Sequence, residues 1–187
     1  DADTLAGTVQ ARRAKAGESF VALDEETYQL NETDCVIADD RGVLGLAGIL
    51  GGLASGSTLQ TKNVLVESAW FDPVAIALSG RHHNIDSDAR YRFERGVDPA
   101  SVETGLALAV QMIVEICGGT VCAPVSAGAA PDSEKTVRFA PARVHQLTGL
   151  KIAEADMLVI LMQLGFEVEK ADAVWQVRVP SWRPDID

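Results

Sequence analysis

Glu67 is the residue of this sequence best placed for chemistry that depends on one carboxylate. It follows the glycine-rich segment GILGGLASG, residues 48–56, and lies within the largely apolar run NVLVESAWFDP. Alternation in that run predicts a strand covered on both faces, with Glu67 pointing to the same side as Leu65. A covered carboxylate needs either a cationic partner or a cavity that holds a ligand. An internal ion pair and a recognition site therefore both stay open.

The glycine-rich segment admits three interpretations: a phosphate-binding loop, a tight turn, and one wall of a pocket. It contains neither G-x-x-x-x-G-K-[ST] nor G-x-G-x-x-G, and it leads into a predicted strand. Phosphate-binding loops lead instead into the N-terminus of a helix. Glycines that permit a positive φ or a close backbone approach explain the segment more simply. The pattern favours a turn, and it leaves the pocket wall open.

Charged residues further along the chain could pair with Glu67 without any ligand. The candidate cations are Arg81, Arg90, Arg92 and Arg95. Three of these arginines lie in RYRFERGVD, residues 90–98, among acidic residues, so this segment predicts an internal ion-pair network rather than a phosphate contact. The adjacent His82 and His83, at a predicted helix end, lie on different faces, which argues against a metal site.

The composition restricts the class of protein. A net charge of −11 is the wrong sign for a surface that holds a nucleic-acid backbone, so another part of an assembly would have to hold it. No apolar run approaches the length of a membrane span. The three cysteines lack the spacing of zinc sites and are an odd number for disulfides. We expect a protein of the reducing cytoplasm, with no membrane contact and no bound metal.

The order of predicted elements indicates an α+β fold, with mixed or antiparallel sheets packed against a few helices. Short strands and turns precede the glycine-rich segment. Asp72-Pro73 and Asp98-Pro99 each predict the start of a helix. A final strand, TVCAPVSAG, follows the second helix. One face of that second helix is predicted to be apolar and is formed by Leu106, Val110, Ile113, Val114 and Cys117.

A change in composition divides the chain at AGAAPDSEKT, which has the small residues, proline and charges of a linker. We predict a first domain over residues 1–128, a linker over 129–136 and a second domain over 137–187. The order strand, short helix, helix and hairpin predicts a truncated, small winged-helix-like module. Its helix ADMLVILMQLG carries no base-reading side chains, so we expect a core helix and no specific DNA binding.

Four motifs, GILGGLASG, NVLVESAWFDP, SGRHHNIDSDARYRFERGVDP and VPSWRPDI, together resemble the β subunit of bacterial phenylalanyl-tRNA synthetases. The resemblance covers essentially the whole chain. It implies that the first domain is the central editing domain and that the second is part of the winged-helix-like domain after it. The implied function is editing, the hydrolysis of tyrosine wrongly attached to tRNA(Phe). A site that demands the tyrosine hydroxyl discriminates far better than an apolar pocket that must reject it.

The same resemblance assigns substrate-binding roles to four residues. Glu67 stands where the family's pocket glutamate stands and is expected to bind the tyrosine hydroxyl, and Gly51 matches the glycine of the pocket wall. Ser87 and Ala89 match loop positions that line the pocket, although the family often has threonine at the first. Leu53 departs from the acidic or polar residue of many relatives. No residue of this chain is a persuasive catalytic base.

The resemblance also implies partners and a group outside the chain. The family's editing histidine lies in P-L-H-A-[FY]-D, and Asp1 aligns with the aspartate that ends this motif, so we expect this chain to edit slowly or not at all by itself. The implied partners are the α subunit, in an α2β2 heterotetramer, tRNA(Phe), and tyrosine or Tyr-tRNA in the pocket. ATP and Mg²⁺ serve aminoacylation in the whole synthetase, and this chain is expected to bind no cofactor. The alternative is a non-catalytic structural module that packs against other parts of the synthetase.

Overall fold

The computed structural model describes residues 1–186. The chain folds as two compact units, one formed by Asp1–Val97 and Val102–Ala123 and the other by Asp98–Ser101 and Pro124–Asp187. Each unit combines antiparallel strands with helices, so the predicted α+β class is confirmed. Within the described part of the chain, no helix is both long and apolar enough to cross a bilayer.

A four-stranded antiparallel sheet forms the base of the first unit. Its spatial order is β1 (Gln10–Arg13), β4 (Cys35–Ala38), β5 (Val43–Leu46) and β6 (Leu50–Gly51). A separate hairpin pairs β2 (Ser19–Val21) with β3 (Thr27–Gln29). The Asp39 carboxylate accepts hydrogen bonds from the N–H groups of Arg41 and Gly42 at 2.8 and 3.2 Å, which closes the turn between β4 and β5. The short strands and turns predicted before the glycine-rich segment are confirmed.

Two helices, α1 (Pro73–His82) and α2 (Asp88–Phe93), follow the sheet. The Asp72 carboxylate accepts the N–H of Ala75 at 2.8 Å, and Pro73 occupies the first turn, so the predicted start of α1 is confirmed. Ile76 of α1 is buried in the core that the sheet residues Val36 and Leu46 also build. This packing places the end of α1 and the loop after it against the sheet.

Residues 61–72, which include Glu67, form neither helix nor strand, so the predicted strand is wrong. Val64 and Leu65 are exposed at 49% and 58%, and the run is therefore not covered on both faces. The predicted strand TVCAPVSAG is wrong for the same reason, because residues 118–127 also lie outside the sheets. Alternation shows which residues share a face, but a strand also needs a neighbouring strand to bond its backbone.

The helix α3 (Ser101–Cys117) differs from its prediction in burial. The Asp98 carboxylate accepts the N–H of Ala100 at 2.9 Å just before α3, and Gly118, with φ of 73°, follows its last residue, as predicted. No residue of α3 is buried. The predicted core face is therefore wrong in extent, since Leu106, Val110 and Ile113 are only half-buried whereas Val114 and Cys117 are exposed.

The second unit contains a three-stranded antiparallel sheet and two helices. Its sheet has the order β7 (Lys135–Phe139), β9 (Trp175–Val179) and β8 (Glu167–Glu169), and the helices are α4 (Pro141–Thr148) and α5 (Glu154–Gln163). The predicted sequence of strand, two helices and hairpin is confirmed. Because β7 begins at Lys135, its first residues fall within the stretch 129–136 predicted as a linker. The predicted domain boundaries stay a prediction.

The core of the second unit is apolar. Its buried cluster consists of Met157, Phe166, Trp175, Val177 and Val179. The helix α5 contributes Met157 to this cluster, with Leu158 and Leu161 packed against it. The expectation that α5 is a core helix is only half right, because its other apolar residues are exposed: Val159, Ile160 and Met162.

Candidate functional site

Packing explains two glycines of the segment that precedes Glu67. Gly48 has φ of 66°, and a Cβ on it would lie 2.9 Å from the Phe71 ring. The N–H of Gly52 donates to the Leu44 carbonyl at 2.7 Å, and a Cβ on Gly52 would lie 2.4 Å from that oxygen. The segment ends in the 3-10 turn Leu53–Ser55, with no α-helix after it. The turn interpretation is confirmed. The phosphate-loop interpretation lacks the helix N-terminus that it requires.

Gly51, the predicted pocket wall, ends β6 opposite Gly45. Its carbonyl accepts the Leu23 N–H at 3.0 Å, and a Cβ on Gly51 would lie 3.2 Å from the tip of the Leu23 side chain. Leu23 is 53% exposed. A side chain at Gly51 would crowd the exposed tip of Leu23, and the assignment of Gly51 to a pocket wall stays a prediction.

Ser87 holds the start of α2 against the segment between β5 and β6. Its hydroxyl donates to the Ile49 carbonyl at 2.7 Å and accepts the N–H of Arg90 at 3.1 Å. A hydroxyl has one donor and two acceptor lone pairs, so Ser87 can accept one further hydrogen bond from a ligand. Ala89 lies in the first turn of α2 and is exposed. The start of α2, with Ser87 and Ala89, is thereby attached to Ile49, which lies two residues before Gly51.

The predicted ion-pair network of RYRFERGVD is confirmed, and it leaves Glu67 out. Arg90 bonds Glu94 at 3.0 Å, and Arg95 bonds Glu94 at 3.1 Å while stacking 3.7 Å from the centroid of the Tyr91 ring. Among residues 1–186, Glu67 takes part in no hydrogen bond or ion pair. The interpretation of Glu67 as half of an internal ion pair is therefore wrong, and its carboxylate is free to meet a ligand.

The Glu67 carboxyl is unlike that of an ordinary surface glutamate. Its residue is exposed, yet desolvation by the surrounding protein raises the pKa of its carboxyl above the usual range. Its negative charge also helps to raise the pKa of the Cys35 thiol, which is raised mainly by burial, so Glu67 lies near β4.

The structure brings the predicted site residues together only in part. Ser87 caps α2 and Ala89 lies in its first turn, and the Ser87 hydroxyl makes a direct bond to the chain before Gly51. Phe71, four residues after Glu67, has its ring 5.3 Å from that of Phe93 at the end of α2. In the described part of the chain, no hydrogen bond joins Glu67 to Gly51, Ser87 or Ala89. Their assignment to one pocket stays a prediction.

A cavity of about 230 Å³ opens between β1, β4 and the start of α1. Arg12 and Arg13 line it on one side, and Phe71 and Asp72 on the other. The Arg12 guanidinium is already bound to the Glu18 carboxylate at 2.7 and 2.8 Å. None of the four predicted substrate-binding residues lines this cavity, so it is separate from the predicted pocket.

The buried Asp34 was missed by the sequence analysis. Its carboxylate contacts the Ser79 hydroxyl and the His83 Nε2 atom, each at 2.7 Å. This contact gives His83 a partner other than a metal ion, and no group of three or more potential ligands is close enough to hold a metal among the described residues. Nothing in the sequence links Asp34 to a histidine 49 positions later. All three cysteines are free.

Comparisons with known proteins identify the family. Residues 1–118 match the B3/4 domain and residues 137–187 match the tRNA synthetase B5 domain. The chain is 48% identical to the phenylalanine–tRNA ligase beta subunit of Ruegeria pomeroyi and 47% identical to that of Rhodopseudomonas palustris, over 100% of its own length and 23% of theirs. A solved N-terminal fragment of the phenylalanyl-tRNA synthetase beta subunit from Pyrococcus horikoshii is 17% identical, with a TM-score of 0.41, over 99% of this chain and 54% of that one. This chain belongs to the phenylalanine–tRNA ligase beta subunit family, and its two matched regions are a B3/4 domain followed by a B5 domain.

Proposed function

We propose that the chain carries a post-transfer editing site that hydrolyses Tyr-tRNA(Phe). The observation that carries this proposal is the Glu67 carboxylate, which has no protein partner within residues 1–186 and whose pKa is raised by desolvation. A protein keeps an unpaired, desolvated carboxylate at a cost in stability, and such groups concentrate at functional sites. Membership of the phenylalanine–tRNA ligase beta subunit family adds support from an independent direction.

Recognition of the phenol follows from what Glu67 can accept. Tyrosine differs from phenylalanine by one hydroxyl, which can donate a hydrogen bond to the Glu67 carboxylate. Phenylalanine in the same place would displace water from the carboxylate without donating a hydrogen bond in its place. Sites that must hydrogen-bond a hydroxyl reject the analogue that lacks it much more strongly than apolar pockets reject an added hydroxyl. Glu67 therefore selects Tyr-tRNA(Phe), rather than Phe-tRNA(Phe), for hydrolysis.

The proposed reaction is the hydrolysis of an ester. Water adds to the carbonyl carbon that joins tyrosine to the terminal adenosine, the bond to the ribose oxygen breaks, and that oxygen takes a proton. Glu67 selects and positions the substrate, and it is neither nucleophile nor base in this scheme. The water is activated by backbone dipoles or by the vicinal ribose hydroxyl of the tRNA. No cofactor takes part.

The chain requires partners for this reaction. Its net charge of −11 repels a phosphate backbone, so other parts of the assembly hold the tRNA. We propose that these parts belong to an α2β2 synthetase in the cytoplasm, with the α subunit responsible for aminoacylation and its ATP and Mg²⁺. The chain spans 23% of the length of the beta subunits that it matches, which leaves much of the surface for tRNA elsewhere.

Titration of the 187-residue chain with tyrosine and with phenylalanine tests the pocket directly. We expect tyrosine to shift the amide signals of Glu67, Ser87 and Ala89 in nuclear magnetic resonance spectra, and phenylalanine to bind at least tenfold more weakly, as expected for a lost hydrogen bond to a charged group. Glu67→Ala should abolish the preference, whereas the exposed Glu32→Ala should retain it. Equal binding of both amino acids to the native chain would contradict the proposal.

A second candidate function is a non-catalytic module that packs against other parts of the synthetase. The exposed apolar residues of α3 and α5 favour it, among them Leu108 at 59%, Ile116 at 76% and Met162 at 60% exposure. Editing does not need these side chains. If Met162→Ser and Ile116→Ser prevent assembly with the α subunit while Glu67→Ala has no effect on Tyr-tRNA, this second function is the correct one.

A further inference from the structure

Asp34 is a buried carboxylate with three hydrogen-bond donors directed at it. It is 0% exposed and lies immediately before β4. One oxygen accepts the Ser79 hydroxyl at 2.7 Å, and the other accepts the backbone N–H of Asn31 at 2.9 Å and lies 2.7 Å from His83 Nε2. Burial opposes ionisation of Asp34, but these hydrogen bonds outweigh it and hold its pKa below the usual range. Because an ionised carboxylate only accepts, Nε2 of His83 donates.

The two side-chain donors hold the last turn of α1. Ser79 lies within α1 and His83 is its C-terminal cap, and their spacing of four residues puts both on one face of the helix. The His83 side chain is only 5% exposed and packs edge-on against the Tyr28 ring at 5.9 Å. Asp34 therefore connects the sheet to the end of α1 by two side-chain hydrogen bonds rather than by apolar contact alone.

A neighbouring part of the same turn is held by Arg90 of α2. A Cβ on Gly80 would lie 2.4 Å from Arg90 Cδ, so the guanidinium stem lies directly on the helix backbone. Arg90 also donates to the Ile85 carbonyl at 2.6 Å, and the Ile85 N–H donates to the Gly80 carbonyl at 3.0 Å. The end of α1 is thus fixed by both Asp34 and Arg90.

Only residues 84–86 separate this fixed turn from Ser87. Asn84 has φ of 53°, and Ile85 is buried at 5% exposure, so the connection is short, bent and anchored. Ser87 then bonds the Ile49 carbonyl within the glycine-rich segment. A shift or rotation of the last turn of α1 would be passed through this connection to Ser87, because no long loop intervenes to absorb it.

We propose that Asp34 and His83 are positioning residues. They fix the loop before α2, and through it the positions of Ser87 and Ala89 in the editing pocket. The proposal rests on the proposed editing function. A buried polar contact of this kind specifies one orientation more than it adds stability, since hydrogen bonds are directional and apolar contacts are not. Neither residue touches substrate, and both act through the loop.

Kinetics of Tyr-tRNA(Phe) hydrolysis by the full-length α2β2 enzyme test this inference. His83→Leu removes the donor, His83→Gln keeps an N–H near the Nε2 position, and Ser79→Ala removes the other side-chain donor. His82→Leu is the matched control, because His82 lies beside His83 but makes no bond to Asp34. Aminoacylation of tRNA(Phe) with phenylalanine reports on the folding and assembly of every variant.

We expect His83→Leu to lower kcat for Tyr-tRNA(Phe) by about tenfold, the factor for one hydrogen bond to a charged group, with a smaller change in KM. His83→Gln should recover most of the loss, Ser79→Ala should show an intermediate loss, and aminoacylation should be unchanged in all of them. If His83→Leu fails to assemble, the kcat values of the other two variants decide the question. A lower kcat for Tyr-tRNA(Phe) in Ser79→Ala than in His83→Gln supports the inference, and the reverse order overturns it. If Ser79→Ala and His83→Leu both keep the kcat of the native enzyme, the inference is wrong but the proposed function is not affected. If the native enzyme itself does not hydrolyse Tyr-tRNA(Phe), the proposed function is wrong.

Discussion

The two units of the chain bury different kinds of side chain. Inside the first unit lie two carboxylates, Asp34 and Asp39, at 0% and 5% exposure. The buried cluster of the second unit contains only apolar side chains. An apolar core is held by the removal of surface from water, which depends little on pH. Buried carboxylates add directional bonds and a dependence on pH, and the first unit is the one to which the proposed chemistry belongs.

Loss of a large apolar side chain should have the greatest effect on stability, and it should fall on the second unit. Trp175 is 1% exposed and packs 5.6 Å from the Phe139 ring between centroids. We expect Trp175→Ala to lower the free energy of unfolding of this unit by about 3–5 kcal/mol. Leu147→Ala, at a site 74% exposed, is the control and should change it by less than about 0.5 kcal/mol. Denaturant unfolding with circular dichroism measures both, and similar values for the two variants would contradict the assigned core.

Loss of a buried carboxylate should destabilise the first unit nearly as much. Asp34→Ala leaves Ser79 and His83 as donors without an acceptor in a buried place, and we expect a loss of about 3 kcal/mol. Asp86→Ala, at an exposed position close to the same loop, should cost less than about 0.5 kcal/mol. Chemical denaturation monitored by amide exchange in β4 and α1 distinguishes the two variants. A cost below about 1 kcal/mol for Asp34→Ala would show that the network does not hold α1.

Acid should destabilise the first unit more than the second. The Arg12 hydrogen bond lowers the pKa of Glu18 from 4.5 to about 2, and the hydrogen bonds to Asp34 and Asp39 also keep their pKa values low. A folded-state pKa below the unfolded value stabilises the fold above the unfolded pKa, and this stabilisation is lost as pH falls through the folded pKa. We expect the loss between about pH 4.5 and pH 2.

The second unit provides the internal reference for this acid titration. Its Asp185 also has a lowered pKa, owing to a hydrogen bond from Arg183, but this pair is exposed and contributes little to stability. Amide exchange of β4 and of β9 at a series of pH values follows each unit separately. Parallel loss of protection in the two strands would contradict the difference between the cores.

The smallest effect concerns Glu67 and has the opposite sign. Desolvation raises its pKa, so ionised Glu67 opposes folding above its folded-state pKa, and this opposition disappears as pH falls. We expect Glu67→Gln to raise the melting temperature slightly at pH 7, with a smaller gain at pH 4. Glu32→Gln, at an exposed site, should leave the melting temperature unchanged. A decrease caused by Glu67→Gln would show that the carboxylate has a stabilising partner.

Local signals in the sequence predicted the elements that depend on neighbouring residues. The Asp72-Pro73 cap predicts α1 because the carboxylate and the first turn of the helix are adjacent in the chain. The Asp-Asp-Arg-Gly turn between β4 and β5 is closed by Asp39 itself. The order of elements in the second unit was predictable for the same reason.

Features that depend on distant residues were not predictable. Alternation around Glu67 predicted a strand, but a strand requires a neighbour that the pattern does not specify. The apolar face of α3 predicted burial, but no residue of α3 is buried. The Asp34 to His83 contact joins residues 49 positions apart, with no spacing rule that relates them. The candidate site combines local and distant features. Its residues were predicted from sequence motifs, whereas the contacts that they make depend on the fold.

The central claim is that Glu67 recognises the tyrosine hydroxyl during editing. Its most direct test is the rate at which the full-length α2β2 enzyme hydrolyses Tyr-tRNA(Phe), with Glu67→Ala compared with the native protein and with Glu32→Ala. We expect Glu67→Ala to hydrolyse Tyr-tRNA(Phe) about 10- to 100-fold more slowly while aminoacylation with phenylalanine is unchanged, the factor expected for one charged hydrogen bond. Hydrolysis of Tyr-tRNA(Phe) at the native rate by Glu67→Ala, with Phe-tRNA(Phe) still spared, would contradict it.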